Sequence, residues 1–268
     1  MTRDDVDKLF SLNGRVAVVT GGAGKLGMKH AEVLQAAGAN VFLWDVDPET
    51  STKAQSLGPN VFGVNVDITD LAAVKKAVRG IKTRFERIDI LINNAALDAK
   101  PERPESKLQF SPYEEYSIDM WNKEIAVGLT GAQVCTQAVA PIFMEQKNGV
   151  VLNILSTLAV DAPDNRVYEK GKFKSVAYVT IKTALLGLTR AWASYLGPYN
   201  VRVNAVTFGG VNFGTHDTNF LDKKAAQIML GRRAGPNEYQ GVVLFLCSDA
   251  SKFMTAANVV VDGGKTAW

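Results

Sequence analysis

The chain has 268 residues, 47% of them apolar, which suits one α/β domain or two small ones with a packed core and excludes a disordered or fibrous chain. Its 30 basic and 27 acidic residues leave a formal charge of +3, spread along the chain, too weak a footprint for nucleic acid or an anionic membrane surface. Cys135 and Cys247 form neither a bridging framework nor a paired metal-ligand spacing, and with only His30 and His216 there is little material for serine–histidine catalysis or a zinc site.

Residues 1–12 carry Arg3, Asp4, Asp5, Asp7 and Lys8 without a long apolar stretch, so no secretory signal is expected there. No run reaches the ~18 apolar residues of a membrane span, and a cytoplasmic protein with reduced thiols is expected. The first predicted strand, 15–20, runs into Gly21-Gly22-Ala23-Gly24-Lys25-Leu26-Gly27 and a helix over 26–37. Such a strand–turn–helix lets backbone approach a pyrophosphate, whose charge is stabilised by free N–H groups at the helix N-terminus. His30, four residues past Leu26, is expected on that helix's surface. A second strand, 40–45, ends in Asp45, 18 residues after Gly27. A carboxylate there accepts both hydroxyls of an adenosine ribose and repels a 2′-phosphate, favouring NAD over NADP; Lys25 is the residue that could instead partner that phosphate.

A third strand, 60–66, a helix, 71–85, and a fourth strand, 88–93, follow; a long connection, 97–117, then leads to a helix over 119–144. The fifth strand, 149–155, is closed by Ser156, and a second long connection, 157–176, reaches a helix over 178–196. Both connections leave the carboxyl ends of strands, the edge where open α/β sheets bind ligands. Tyr178 and Lys182, four positions apart, share one face of that helix. A phenol with a pKa near ~10 is a poor acid–base catalyst at neutral pH, but an adjacent ammonium stabilises phenolate and brings it toward the working range. Tyr178 could then take a hydroxyl proton during alcohol oxidation or return it during ketone reduction, with the Ser156 hydroxyl orienting the substrate oxygen. The sixth strand, 200–206, is followed by a Gly/Thr/Asn-rich loop in which His216 is a candidate substrate contact, then by a helix, 240–247, and a seventh strand, 258–262. These strands are rich in Val, Ile and Leu without polar alternation, as when both faces of a parallel sheet are covered. Strand–helix alternation without repeat or linker predicts a single α/β, doubly wound Rossmann-type domain over 1–268.

The glycine turn after Thr20, Asn93-Asn94-Ala95-Ala96, Ser156, Tyr178-x-x-x-Lys182, Arg202-Val203-Asn204-Ala205-Val206 and Val261-Asp262-Gly263-Gly264 occur in the order found in the short-chain dehydrogenase/reductase family, which the chain resembles over nearly its full length. The resemblance implies a seven-stranded sheet of order 3-2-1-4-5-6-7 and a homotetramer. It also implies Ser156 as substrate-oxygen orienter, Tyr178 as acid/base and Lys182 as ribose anchor. Gly21, Gly24, Lys25, Leu26 and Gly27 would hold the NAD pyrophosphate, and Asp45 the ribose. Asp67 and Ile68 would border the adenine, and Asn93, Ala95, Gly209 and Val211 would line the cofactor cleft. Three positions depart from the family pattern: Lys25 stands where a glycine is usual, Gly128 replaces an asparagine of the proton relay, and Phe208 replaces a proline, which would put a ring beside the nicotinamide.

Leu9-Phe10-Ser11-Leu12-x-Gly14 and the 157–176 insertion are similar to sugar-acid and polyol dehydrogenases of the family. They imply carbohydrate metabolism, with oxidation of a secondary alcohol to a ketone or lactone. Lys100, Arg103, Arg166 and Lys170 could attract an anionic substrate group, or be plain solvated surface. Two other readings stay open: a carbonyl reductase of an apolar ketone such as a steroid or terpenoid, and a non-catalytic cofactor-binding protein, suggested by Gly128.

Overall fold

The computed structural model describes residues 1–97, 104–214 and 218–268, with side chains left out for 104–106. Lys100, Arg103 and His216, three of the candidate substrate contacts, lie outside the described residues. In chain order the elements are α1 (Arg3–Phe10), β1 (Val16–Thr20), α2 (Lys25–Ala36), β2 (Asn40–Asp45), α3 (Thr50–Leu57), β3 (Val61–Asn65), α4 (Leu71–Phe85) and β4 (Ile90–Asn93). They continue with α5 (Ile118–Ile125), a π turn (Ala126–Thr130), α6 (Gly131–Gln146), β5 (Gly149–Ser156), α7 (Val176–Leu196), β6 (Val201–Phe208), α8 (Thr218–Ala225), α9 (Gln240–Cys247) and β7 (Asn258–Val261).

The seven strands form one parallel sheet of order β3-β2-β1-β4-β5-β6-β7. Pairing puts Val18 opposite both Phe42 and Leu91, and Asn93 opposite Asn153. Alternate strand residues feed two separate cores. Val16, Val18, Phe42, Leu91 and Val151 pack with Val74, Val139 and Phe143 of α4 and α6. Ala17, Val19, Leu43, Ile92 and Leu152 pack with Leu34 of α2 and Val243 and Leu246 of α9. Each fully buried branched side chain contributes about 1.5–3 kcal/mol, and covering both faces favours apolar residues along the strands. The buried polar exceptions, Thr20, Asn93, Asn153, Asn204 and Thr207, are hydrogen-bonded.

Helices α1, α3 and α8 were not expected. Helix α1 is closed by a capping box, Thr2 N–H donating to Asp5 Oδ2 at 2.7 Å and Asp5 N–H to Thr2 Oγ1 at 3.2 Å. All three are eight residues long and bury little, so each offers only about two turns of pattern and few core residues to mark it. The stretch Ile118–Gln146 would pass for a membrane span by length and composition. It lies instead against the sheet, where α6 buries Val134, Cys135, Val139 and Phe143. Cys135 and Cys247 are buried, and burial pushes each thiol up to about 12, opposed at Cys247 only in part by Arg202 and Arg15, so both are packing residues.

Two expectations fail. His30 is buried, at 1% exposure, because Gly27, His30, Ala31 and Leu34 form the inner stripe of α2. Its ring lies 5.9 Å from that of Phe208, and neither nitrogen has a hydrogen-bond partner among the described residues. Phe208 does not wall a pocket: β6 runs on to that residue, whose ring is buried and stacked on Tyr239 at 4.0 Å between centroids. It shares the core face of Val206 because strand side chains alternate.

Candidate active site

Strand β1 ends in Thr20, whose Oγ1 accepts the backbone N–H groups of Asn94 and Ala95 at 3.0 and 3.1 Å. Asn94 Nδ2 donates to the carbonyls of Thr20 and Gly21 at 2.9 and 3.2 Å, clamping the turn to the segment after β4. Gly21 has φ +60°, and a Cβ there would sit 2.8 Å from the Ala95 Cα; a Cβ on Gly27 would sit 2.2 Å from the Gly21 carbonyl oxygen. Only glycine fits either position. Helix α2 starts from Gly24 with no side-chain cap and no acidic residue in its first turn. Its N-terminal amides thus face an anion-shaped cradle, which fits a dinucleotide pyrophosphate.

At the end of β2, Asp45 Oδ2 accepts the Ala23 N–H at 3.0 Å and Oδ1 that of Asp47 at 3.2 Å, holding the carboxylate against the turn. Lys25 leans the other way, its ammonium 5.3 Å from the centre of the Phe213 ring. A cation that the sequence motifs did not single out, Lys53, pairs with Asp47 at 2.6 Å and reaches the carbonyl of Ala23, the residue whose N–H Asp45 accepts, at 3.4 Å. Asp67 is exposed just past β3 and accepts from the Thr69 N–H and hydroxyl, both at 2.8 Å. Ile68 is buried against Gly131, so its side chain belongs to the core. Asn93 is likewise turned inward, donating to Asn153 Oδ1 at 2.8 Å and Thr136 Oγ1 at 3.1 Å, which leaves its backbone, not its side chain, beside the cleft. Gly209 lies against Asp262 and Tyr239, where a Cβ would be 3.0 Å from the Asp262 Cα. Val211 is buried and bridges to Ala234.

Ser156 closes β5 and its Oγ accepts the Leu158 N–H at 3.4 Å. Helix α7 packs on the turn that follows, with Thr183 Oγ1 donating to the Leu158 carbonyl at 3.4 Å, so Tyr178 and Lys182 come to the same edge. Lys182 is 4% exposed, and its Nζ donates to the Ile154 carbonyl at 2.7 Å, two residues before Ser156. That Nζ is 5.5 Å from the Tyr178 ring centre, and a second ammonium, Lys174, is nearer still at 4.0 Å. Lys174 precedes Tyr178 by four positions, as Lys182 follows it; the spacing was visible, but Lys174 lies outside the helix, where spacing alone places nothing. The first turn of α7 is capped by Ser175, whose Oγ accepts the Tyr178 N–H at 3.0 Å and donates to buried Glu124 at 2.8 Å. Glu124 also accepts from the Tyr116 hydroxyl, and burial together with that carboxylate pushes the Tyr116 phenol above its ordinary range. This buried triad anchors Tyr178's helix to α5. Gly128, in the π turn, abuts α7: a Cβ there would be 2.9 Å from Ile181 Cγ2.

A family model described as enoyl-(acyl carrier protein) reductase matches residues 21–266. The chain belongs to the short-chain dehydrogenase/reductase family. Among its relatives in that family, trans-4-hydroxycyclohexanecarboxylate dehydrogenase of Sinomonas cyclohexanicum is 34% identical, over 94% of this chain and 93% of that protein. The 3-alpha-(or 20-beta)-hydroxysteroid dehydrogenase of Mycobacterium bovis is 33% identical (96% and 91%), and the NAD-dependent glycerol dehydrogenase of Listeria innocua 32% (99% of each). A crystal structure of a gluconate 5-dehydrogenase from Burkholderia cenocepacia with NADP and tartrate superposes with a TM-score of 0.87 at 26% identity, over 98% of this chain and 99% of that one. Membership of the short-chain dehydrogenase/reductase family makes the chain an NAD(P)-binding oxidoreductase.

Proposed function

We propose that the protein is an NAD-dependent dehydrogenase of a polar, hydroxylated metabolite (a sugar, sugar acid or polyol), oxidising a secondary alcohol. The observation that carries this is Tyr178 in the first turn of α7 with Lys174 and Lys182 4.0 and 5.5 Å from its ring, above the glycine cradle. The Ser156 hydroxyl holds the substrate oxygen, the Tyr178 phenolate takes the hydroxyl proton, and the C–O bond becomes C=O. The nicotinamide, when bound, supplies the acceptor for the hydride from the same carbon. Lys182, steadied by the Ile154 carbonyl, offsets charge on the phenolate and is placed to hold the nicotinamide ribose. Gly21, Gly24 and Gly27 with the amides of α2 hold the pyrophosphate. NAD is preferred because the Asp45 carboxylate stands at the turn while Lys53 is engaged by Asp47. The relatives that act on glycerol and on a hydroxycyclohexane carboxylate support a hydroxylated substrate. The hydroxysteroid relative supports the second reading, a dehydrogenase of an apolar alcohol or ketone.

The test is a panel of polyols, hydroxy acids and steroid alcohols with NAD and with NADP, followed by absorbance of the reduced nicotinamide. Turnover with polar alcohols and NAD is expected. Tyr178→Phe should lower kcat by at least ~10³-fold, as loss of a general base does, while NAD binding by calorimetry persists. Full activity in that variant would overturn the assignment of the proton to Tyr178.

A further inference from the structure

Beyond the carboxyl end of β6 the fold gathers cations that hydride transfer does not use. Lys224 of α8 lies 5.5 and 5.8 Å from the ring centres of Tyr168 and Phe220. The Arg233 guanidinium is 5.7 Å from the same Phe220 ring and fills the space beside Gly210, just after β6, where an added Cβ would stand 2.8 Å from Arg233 Nε. These rings continue to the catalytic phenol: Phe220 is 6.2 Å from Tyr168, and Tyr168 is 5.6 Å from Phe110. Phe110 and Lys174 line one recess with Tyr178. An aromatic strip thus joins Tyr178 to Lys224 and Arg233.

Charge is distributed unevenly along that strip. At the Tyr178 end, buried Glu124 lines the recess together with Lys174, so carboxylate and ammonium stand in one place. At the far end, Lys224 is half-buried and has no carboxylate at ion-pairing distance among the described residues. The Asp164 carboxylate accepts instead from Arg166 at 2.8 Å and from Gln227 at 2.6 Å, and Lys265 is held by Asp161 at 2.6 Å. Burial and the repulsion of Lys265, Arg233 and Lys174, only partly offset by Asp164, push Lys224 down to about 8. Gathering cations on a half-buried wall opposes folding, and no carboxylate in contact with Lys224 compensates.

We propose that the substrate is a hydroxy acid whose carboxylate binds Lys224 with Arg233, whose carbon skeleton lies on the Tyr168–Phe220 strip and whose carbinol meets Tyr178. This rests on the dehydrogenase reading above and narrows it to anionic substrates.

The experiment uses matched pairs, trans-4-hydroxycyclohexanecarboxylate against trans-4-methylcyclohexanol and gluconate against glucitol, together with calorimetric binding of cyclohexanecarboxylate, which cannot react. The acids should be preferred at least ~10-fold in kcat/KM. Lys224→Met should cut the acid-to-neutral ratio and weaken cyclohexanecarboxylate roughly 10- to 100-fold, the scale of one lost charge-assisted contact, and Lys224→Arg should restore most of it. Lys172→Met, which removes an exposed lysine paired with Glu169, controls for net charge and should leave the ratio unchanged. Tyr178-dependent oxidation of the neutral partners at equal or better efficiency, or a ratio that survives Lys224→Met, overturns the proposal and leaves the dehydrogenase reading standing. Lys224-dependent carboxylate binding without Tyr178-dependent turnover of any probe keeps the anion site and overturns the dehydrogenase reading. Neither binding nor turnover removes both.

Discussion

Lys182 and His30 are both buried ionisable side chains, and the fold treats them in opposite ways. Lys182 is given the Ile154 carbonyl at 2.7 Å, so its ammonium is solvated by the protein at the place where charge is needed. His30 is packed beside the Phe208 ring, and burial, opposed only in part by Asn94, pushes it down to about 4 from an ordinary 6.5. Its folded value is thus depressed, so above pH 6.5 the ring is neutral in both states and stability is unaffected. As pH falls from 6.5 toward 4 the unfolded chain gains a proton that the folded chain refuses, and stability is lost by up to about 3 kcal/mol. Urea unfolding at pH 7.5 and 4.5 should show this loss, and His30→Leu, which cannot titrate, should show a smaller one; equal losses in both proteins would assign the acid sensitivity elsewhere. Ser156, Tyr178, Lys182 and Asp45 were legible in the sequence because each has a fixed offset from a strand end or helix start. The cations grouped around Tyr178, Tyr168 and Phe220 were not. Lys174, Lys224 and Arg233 lie on three segments with no sequence relation to one another, and only the tertiary fold brings them together.

Among the elements, the Ile118–Gln146 helix is interrupted where the sequence showed only an asparagine replaced by Gly128. The interruption is a π turn, and Gly128 is what lets Ile181 of α7 pack into it. A larger residue at 128 would meet a β-branched side chain, so restoring the family's asparagine is a steric problem before it is a question of proton relay. Gly128→Ala should therefore destabilise by roughly 1–2 kcal/mol, crowding against Ile181 outweighing the better helix propensity of alanine. Gly187, exposed in the middle of α7, provides the contrast: a methyl group added there would have nothing within 4 Å, and Gly187→Ala should stabilise by up to about 1 kcal/mol. Chemical unfolding of the two variants side by side checks both signs. The same helix pair carries the Glu124–Ser175 bond, so packing and the placement of Tyr178 are set at one interface.

At the scale of the molecule, the strand order puts β1 and β4 side by side at the centre, and the turns leaving them diverge to opposite faces, opening the crevice that holds the site. We propose the homotetramer that the family resemblance implies, and exposed Ile118 on α5 and Tyr195 on α7 accord with it. Light scattering should then give about four times the 29.0 kDa chain mass; a monomer would refute it. By itself the sequence determined the two-sided parallel strands, the glycine turn and the placing of Tyr178 and Lys182 on one helix face, because these follow from local period, turn chemistry and short fixed spacings. The strand order was implied by the family resemblance and not by any local signal. Only the tertiary structure decided which side of each element is buried: His30, Phe208 and the Asn93 side chain turned inward, and Lys224 was drawn against Tyr168 and Phe220. The reason is that a helix or strand carries its own repeat in its sequence, whereas the surface it packs against is supplied by residues far away along the chain.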